Sequence, residues 1–488
     1  MNILPSLHLI QDMAAAGNYD VLPVSCELLS DFITPIEALK ILKHISSRCY
    51  LLESAVSNET WGRYSFLGFD PKLEITCTNG LLKAGSLTVH TDNPSAVIRQ
   101  ILSEYKSPRF DYLPPFTGGL AGYFSYDYFG YSEPSVRSDS KSDDSSKDLD
   151  LMLFDKVIAF DHVRQKIILM VNMSLTDPET SYNKAVLELE QLTELLKNGK
   201  KETRLTGKLL GAVTPLFDKE AFCSMVEEAK LHIREGDIFQ IVLSNCFHAP
   251  FEGSLLQTYR ILRTLNPSPY MFYFSGTALE AAGASPETLV KLENGVLRTF
   301  PLAGTRPRGK NEEEDQKLEE QLLTDEKELA EHNMLVDLGR NDLGKISRFG
   351  TVQVERFHSI QRFSHVMHIG SAVRGELDSR YDALDAIEAV LPAGTLSGAP
   401  KIKACQLIGQ LEQHKRGIYG GAIGYIDFAG NMDTCIAIRL AYQKNGRVFV
   451  RSGAGIVADS IPEKEYEECL NKARSSLKAL ELAQEDLI

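Results

Sequence analysis

The chain has one tryptophan and only eight cysteines in 488 residues. The cysteines, at 26, 49, 77, 223, 246, 405, 435 and 469, nowhere form a C-x-x-C pair. That spacing leaves no zinc ribbon and no redox dithiol. No run approaches the roughly 18 apolar residues that span a bilayer. The opening MNILPSLHLIQDMAAAG lacks a basic n-region and a sustained apolar stretch, and is a poor match to a secretory signal. Positive charge is also scarce: 52 Lys plus Arg face 66 Asp plus Glu, a net charge of -14. A surface of that sign repels phosphate backbones, so no nucleic-acid partner is expected. The phosphate loop GxxxxGK[ST] is missing, which argues against ATP hydrolysis. G-x-S-x-G and a Cys/His glutaminase arrangement are missing too, so nucleophilic hydrolysis has little support. With 43% hydrophobic residues the chain can bury a sizeable core. A cytoplasmic protein without membrane contact is expected.

Periodicity places the elements. Residues 1–19 read as a loose lead-in. Residues 35–45, PIEALKILKHI, carry Ile36, Leu39, Leu42 and Ile45 at helical spacing. Residues 50–54 and 65–69 read as strands, and 72–77 with 81–90 as a hairpin turning at Asn79-Gly80. Residues 116–126 are Gly-rich and aromatic, a buried strand and turn. The Ser- and Asp-rich stretch 132–150 reads as a solvated loop. Residues 151–172 read as two strands and 176–198 as a helix. The polar stretch 198–215 reads as a linker, which puts a boundary near 215. Beyond it lie an amphipathic helix over 219–235, a strand over 238–243, a long acidic helix over 311–338 and a strand over 448–458. Strand pairs alternating with helices predict an α+β architecture, with helices over antiparallel sheets.

Two carboxylate pairs could carry chemistry. Glu328 and Glu331 stand three apart in ELAEHNMLVDLGRND, and Glu465 and Glu468 three apart in PEKEYEECLNKA. On a helix such residues share a face. Two such helices opposed would offer enough oxygen ligands for Mg²⁺, with waters and a substrate group completing the octahedron. Either pair alone is equally an ordinary solvated acidic face. Gly-rich segments PLAGTRPRG, LPAGTLSGAPK, YGGAIGY and RSGAGIV could let backbone N–H groups approach an anion. His368, near His365 in FSHVMHIGS, is a residue type suited to acid–base work near neutral pH.

In this order, and over the last third of the chain, these motifs resemble the chorismate-utilising enzymes, most closely the large subunits of anthranilate synthases. The resemblance implies an α+β fold of layered α/β/β/α type, with packed antiparallel or mixed sheets and outer helices. It implies an N-terminal domain over 20–175 with a tryptophan regulatory site, and a chorismate-binding catalytic domain over 216–480. Within the family, isochorismate and salicylate synthases carry a water-activating lysine where GDIFQIVLS has Gln240. Aminodeoxychorismate synthases often carry a nucleophilic lysine where PLAGT has Ala303. Neither position offers an amine here, and ammonia remains as the incoming nucleophile.

The same resemblance assigns roles. Mg²⁺ would sit on Glu331 and Glu468, with Glu328 and Glu465 beside them. Glu287, in AGASPE, matches the general acid for the departing C4 hydroxyl and so needs a raised pKa. His368 matches the histidine of pyruvate elimination. Thr305, Thr395, Tyr419, Arg439, Gly453, Ala454, Gly455 and Lys472 match substrate-binding positions. LLES, with Glu53 and Ser54, and NPSPYM, with Pro267, Pro269, Tyr270 and Met271, match the two halves of a tryptophan inhibitor site. The implied reaction aminates chorismate at C2 and then expels pyruvate, giving anthranilate, the first committed step of tryptophan biosynthesis. Its ammonia would come from a separate glutamine amidotransferase subunit, in a heterotetramer of two large and two small subunits. The rival readings are an aminodeoxychorismate or aminodeoxyisochorismate synthase that keeps its pyruvate, and a non-catalytic amino-acid sensor. A metal-dependent hydrolase is a weaker rival, lacking an evident water-activating base.

Overall fold

Long apolar runs, buried on both faces, build the centres of two sheets. Strand Lys166–Ser174 (KIILMVNMS) is buried along its whole interior. It holds strand Val21–Leu29 on one side and Lys156–Asp161 on the other. The computed structural model describes residues 2–55, 62–137, 146–362 and 366–484. Within them one sheet has 14 strands and the other 12. Every pairing between their strands is antiparallel.

Both sheets draw strands from both halves of the chain. In the first, strand Cys49–Glu53 pairs with Tyr270–Ser275, Met271 opposite Glu53. In the second, Gly119–Phe124 pairs with Ala422–Asp427. Side chains from the two sheets meet in one core that includes Tyr50, Phe66, Phe116, Tyr123, Phe272, Phe274 and Tyr425. Phe116 stacks on Tyr425 with ring centroids 4.3 Å apart. Helices Pro35–Ile45, Pro178–Asn198, Leu256–Leu265 and Pro462–Leu482 pack on the first sheet over a second core. Helices Glu326–Gly344 and Ala383–Val390 pack on the second sheet. The layers are helix, sheet, sheet, helix.

Local chemistry fixes the elements. Helix Pro35–Ile45 starts where Thr34 accepts the Glu37 N–H and Pro35 takes the first turn. It buries Ile36, Leu39 and Leu42. The hairpin turns at Asn79 and Gly80, with φ of 50° and 79°, the left-handed pair that a two-residue hairpin requires. A third short strand, Leu87–His90, extends it.

Several expectations need correction. The lead-in is ordered: strand Ile3–Leu4 pairs with Val21–Leu29, and Leu7–Ala16 is a helix capped by Ser6. Residues 151–172 fall into three strands rather than two, because Asp155 and the 162–165 turn interrupt them. The linker carries strands Gly207–Leu209 and Thr214–Pro215, which add to the edge of strand Gln240–Gly253. The single acidic helix is two, Glu312–Thr324 and Glu326–Gly344. Asp325 breaks it by accepting the N–H groups of Lys327 and Glu328, which makes it the cap of the second helix. The 132–150 loop is partly helical at its start, with Pro134–Val136 in a 3-10 turn. Residues 138–145 and His365 lie outside the described residues.

Candidate active site

Glu287 stands where the chain leaves strand Glu280–Ser285 of the first sheet and enters Thr288–Glu293 of the second. A register shift between Thr288 and Val290, against strand Met432–Ile436, bends the strand there. The Glu287 carboxyl accepts the Thr395 hydroxyl, 3.2 and 3.3 Å from its two oxygens. Thr395 is held for this by the short turn Gly394–Leu396. Burial pushes the Glu287 pKa up to about 8, against smaller opposing pulls from Thr395 and the Lys472 ammonium. At neutral pH this carboxyl holds its proton.

His368 lies on strand Val366–Glu376. Its Nδ1 is 2.7 Å from the Gly304 carbonyl and 3.2 Å from the Thr305 hydroxyl. A carbonyl only accepts, so Nδ1 carries the proton and Nε2 is the basic nitrogen. Burial lowers the pKa of the ring, and Arg439 nearby lowers it further. The imidazole is therefore neutral at pH 7.

Helix Pro462–Leu482 brings a second set of charges. Lys472 Nζ lies 2.6 Å from Glu468 Oε1 and donates to the Gly453 carbonyl at 3.1 Å. Arg439, in a left-handed backbone conformation with φ of 53°, donates to the Lys472 carbonyl at 3.3 Å. Burial lowers the guanidinium pKa, opposed by Tyr419 and Glu468. Arg439, Glu463, Lys464, Glu467, Glu468, Asn471 and Lys472 line an open cleft of about 540 Å³.

Helices Glu326–Gly344 and Pro462–Leu482 bring their carboxylates toward one another. The Glu331 pKa is raised by burial first, then by Glu328, with Glu468 adding to it across the gap. Glu465 is raised by burial and by Glu468, and Lys327 of the opposing helix pulls it down. The four carboxylates do not close into a cage. Among the described residues the one group of three acidic, His or Cys ligands within 4.8 Å is His232, Glu235 and Asp237. Glu328 is turned toward Arg306, 3.3 Å away. Arg306, which also pairs with Asp325 at 2.8 Å, went unremarked in the sequence. Its place in PLAGTRPRG, ahead of an acidic helix, was the available signal.

Strand Arg447–Ile456 carries Gly453, Ala454 and Gly455. Alternation sends the Ala454 methyl into an apolar cluster with Ile241, Leu243 and Ile456, so that residue offers only its backbone. A Cβ at Gly453 would stand 3.0 Å from the Tyr419 hydroxyl and 2.8 Å from the Leu243 carbonyl, which is why glycine fits there. Gln240 lies on the neighbouring strand, its amide nitrogen 2.9 Å from where a Gly455 Cβ would be. Tyr419 is buried, with its hydroxyl pKa raised by burial.

The LLES and NPSPYM segments meet. Glu53, Ser54, Pro269, Tyr270 and Met271 line a cavity of about 110 Å³ between the sheets, together with Lys291, Tyr425 and Asp433. Pro267 is not part of that lining. The Glu53 carboxylate accepts the Tyr259 hydroxyl at 2.6 Å and pairs with Arg263 at 2.6 Å, so it braces the cavity wall.

Comparison with known proteins gives one answer. Residues 47–478 match the family model described as chorismate binding enzyme. The chain is 44% identical to anthranilate synthase component 1 of Acetivibrio thermocellus, over 99% of each chain. It is 43% identical to the Aquifex aeolicus protein of the same name, again over 99% of each. Anthranilate synthase component I from Streptococcus pneumoniae superposes with a TM-score of 0.78 at 38% identity, over 92% of this chain and 98% of that one. The menaquinone-specific isochorismate synthase of Escherichia coli, 20% identical, shares the fold with a TM-score of 0.71 over 98% of this chain and 100% of that one. The chain belongs to the chorismate binding enzyme family, among its anthranilate synthase large subunits.

Proposed function

We propose that the chain aminates chorismate at C2 with ammonia and then eliminates pyruvate to give anthranilate. The observation that carries this reading is the pair of protonation states in the site. Glu287 is a carboxyl that keeps its proton at neutral pH. His368 is a neutral imidazole with Nε2 basic. One is poised to give a proton and the other to take one.

In the first step the ammonia lone pair forms the C2–N bond, the ring π electrons shift, and the C4–O bond breaks. Glu287 gives its proton to the departing hydroxyl, which leaves as water. Thr395 holds the carboxyl in place. In the second step His368 Nε2 takes the C2 proton as the C3–O bond to the enolpyruvyl group breaks. The ring becomes aromatic, and the side chain leaves as the enolate of pyruvate, which takes up one proton to give pyruvate. Arg439, with backbone groups near Thr305, Gly453, Ala454 and Gly455, would hold the enolpyruvyl carboxylate, for which a planar guanidinium is suited. Tyr419 and Lys472 would border the ring and its carboxylate.

The donor set fits a magnesium ion. It is all carboxylate oxygen, and after burial, Glu328 and Glu468 add to the cost of ionising Glu331. Glu331 and Glu468 would hold the ion, with Glu465 and Glu328 beside them. An open arrangement suits Mg²⁺, which keeps waters and takes a substrate group as a ligand. When bound it would act as a Lewis acid on the ring carboxylate. Lys472, paired with Glu468, limits the excess negative charge that the substrate meets.

Ammonia would be supplied from glutamine by a separate amidotransferase subunit, as the component 1 names of the relatives suggest. L-tryptophan would be the inhibitor that occupies the cavity between LLES and NPSPYM. The test is to incubate the purified chain with chorismate, Mg²⁺ and ammonium at mildly alkaline pH, following anthranilate fluorescence and pyruvate together. Equal amounts of both are expected. Chorismate loss without pyruvate would replace this reading with an enzyme that stops at an aminated intermediate. No loss at all would leave a sensor. Use of glutamine by the chain alone, as efficiently as ammonium, would overturn the need for a partner.

A further inference from the structure

Tyr270 belongs to the effector cavity, and its hydroxyl bridges a second residue of that cavity, Asp433, to Thr288, which is outside the lining. The hydroxyl donates to Asp433 Oδ1 at 2.8 Å and lies 3.0 Å from the Thr288 hydroxyl. Thr288 directly follows Glu287. The Glu287 backbone is bonded within its own segment and to the neighbouring strand: its carbonyl accepts the Ile436 N–H at 3.0 Å, and the Ser285 hydroxyl bonds both its N–H and its carbonyl at 3.3 Å. Thr288 pairs with Cys435 of the neighbouring strand, and the register shifts between Thr288 and Val290, so the ladder is interrupted immediately beyond Thr288. Asp433 also lines the cavity. A ligand that moves the Tyr270 ring therefore pulls on Thr288 and Asp433 at once.

We propose that the Tyr270 hydroxyl, held between Asp433 and Thr288, is the link through which a ligand in the cavity repositions the Glu287 carboxyl. This rests on the effector reading given above. Tyr270 and Thr288 are positioning residues in this account, and Glu287 is the group acted on. Two sites are coupled in this way only if the ligand favours one arrangement of the link over the other. Couplings of this kind are worth about 5- to 150-fold in affinity.

The test compares Thr288→Val, Thr288→Ser and Tyr270→Phe in the full chain. Tryptophan binding is measured by calorimetry without chorismate. The chorismate KM and kcat are measured with ammonium, with and without saturating tryptophan. The wild-type chain is expected to bind tryptophan and to show a KM ratio above about 10, within that coupling range. Thr288→Val, which lies outside the cavity lining, is expected to bind tryptophan within about threefold of wild type while its KM ratio falls below about 3, near the lower limit. Thr288→Ser restores the hydroxyl and should restore the ratio. Tyr270→Phe keeps the ring and should resemble Thr288→Val. A wild-type KM ratio in Thr288→Val, with binding intact, would overturn the link alone. A KM ratio in Thr288→Ser as low as in Thr288→Val would also overturn it, since the hydroxyl would then not be the cause. No heat of tryptophan binding to the wild-type chain would overturn the effector reading and the link together.

Discussion

The Thr395 hydroxyl sits 3.2 and 3.3 Å from the two oxygens of the Glu287 carboxyl, inside a site that otherwise starves that carboxyl of solvent. Burial raises the pKa and the hydroxyl pulls it back. The two effects together leave a proton donor matched to neutral pH.

Glu287→Gln should lower kcat by about 10²- to 10⁴-fold, the usual worth of a general acid. In the wild-type chain, kcat at saturating ammonia should fall as pH rises through about 8, where Glu287 loses its proton. The variant should lack that limb. Stability moves in a linked way. The folded pKa is raised, so the native state binds the extra proton between the unfolded value of 4.5 and about 8. Wild-type stability is fully present below that window and is lost as pH rises through it, by an amount on the order of a few kcal/mol. Thermal melts at pH 5 and pH 9 should therefore show the variant gaining on wild type at the higher pH. An unchanged difference would mean Glu287 is not buried as described.

Thr395→Val removes the hydrogen bond that favours the ionised form of Glu287. The alkaline limb of the kcat profile should move to higher pH, with a smaller loss in kcat than Glu287→Gln gives. A limb that moved down would show that the hydroxyl accepts from the protonated carboxyl instead.

Glu331→Gln should raise the Mg²⁺ concentration for half-maximal activity by more than about tenfold, because an anionic ligand becomes a neutral one. The metal-free variant should melt no lower than wild type, since burial and Glu328 both oppose ionisation of Glu331. Magnesium titration of activity and a melt in chelator give the two readouts. Unchanged magnesium dependence would remove Glu331 from the metal site.

Arg416→Met should be among the most destabilising changes in the chain. Arg416 and Glu412 are each about 1% exposed and paired. Arg416 also donates to the Leu396 carbonyl at 2.6 Å and the Val242 carbonyl at 2.7 Å, and so ties down the turn that carries Thr395. Glu412 would keep the Ser244 N–H and hydroxyl and the more distant Arg451, 3.5 Å away, but losing its close buried partner should cost about 3–5 kcal/mol. The urea midpoint should drop accordingly, and adding Glu412→Gln should recover part of the loss. No recovery would place the cost in packing rather than charge.

Much of the candidate site was legible because it is local. The spacing of Glu328 with Glu331, and of Glu465 with Glu468, follows from helical geometry, and both segments are helices. LLES and NPSPYM were paired by resemblance, and they lie on adjacent antiparallel strands. Other features were hidden because they are agreements between distant residues. Glu328 is diverted to Arg306, 22 positions away, which no helix pattern signals. The break at Asp325 was missed because the acidic composition runs through it unchanged, while its capping bonds do not show in composition. The strands in 207–215 are short and polar, and only the edge they join makes them strands.

The sequence alone determined the family, the helical spacing of Glu328 with Glu331 and of Glu465 with Glu468, the glycine-bearing strand at Gly453 and the identity of the residues available for acid–base work. Periodicity and residue chemistry are readable within a short window, and motif order along the last third of the chain. The tertiary structure alone decided their protonation and their partners. The pKa of Glu287 depends on how much water two sheets exclude, and on a threonine 108 positions away. The tautomer of His368 depends on one carbonyl of another strand. Burial and long-range contact set these properties, and neither is a property of any local stretch of sequence.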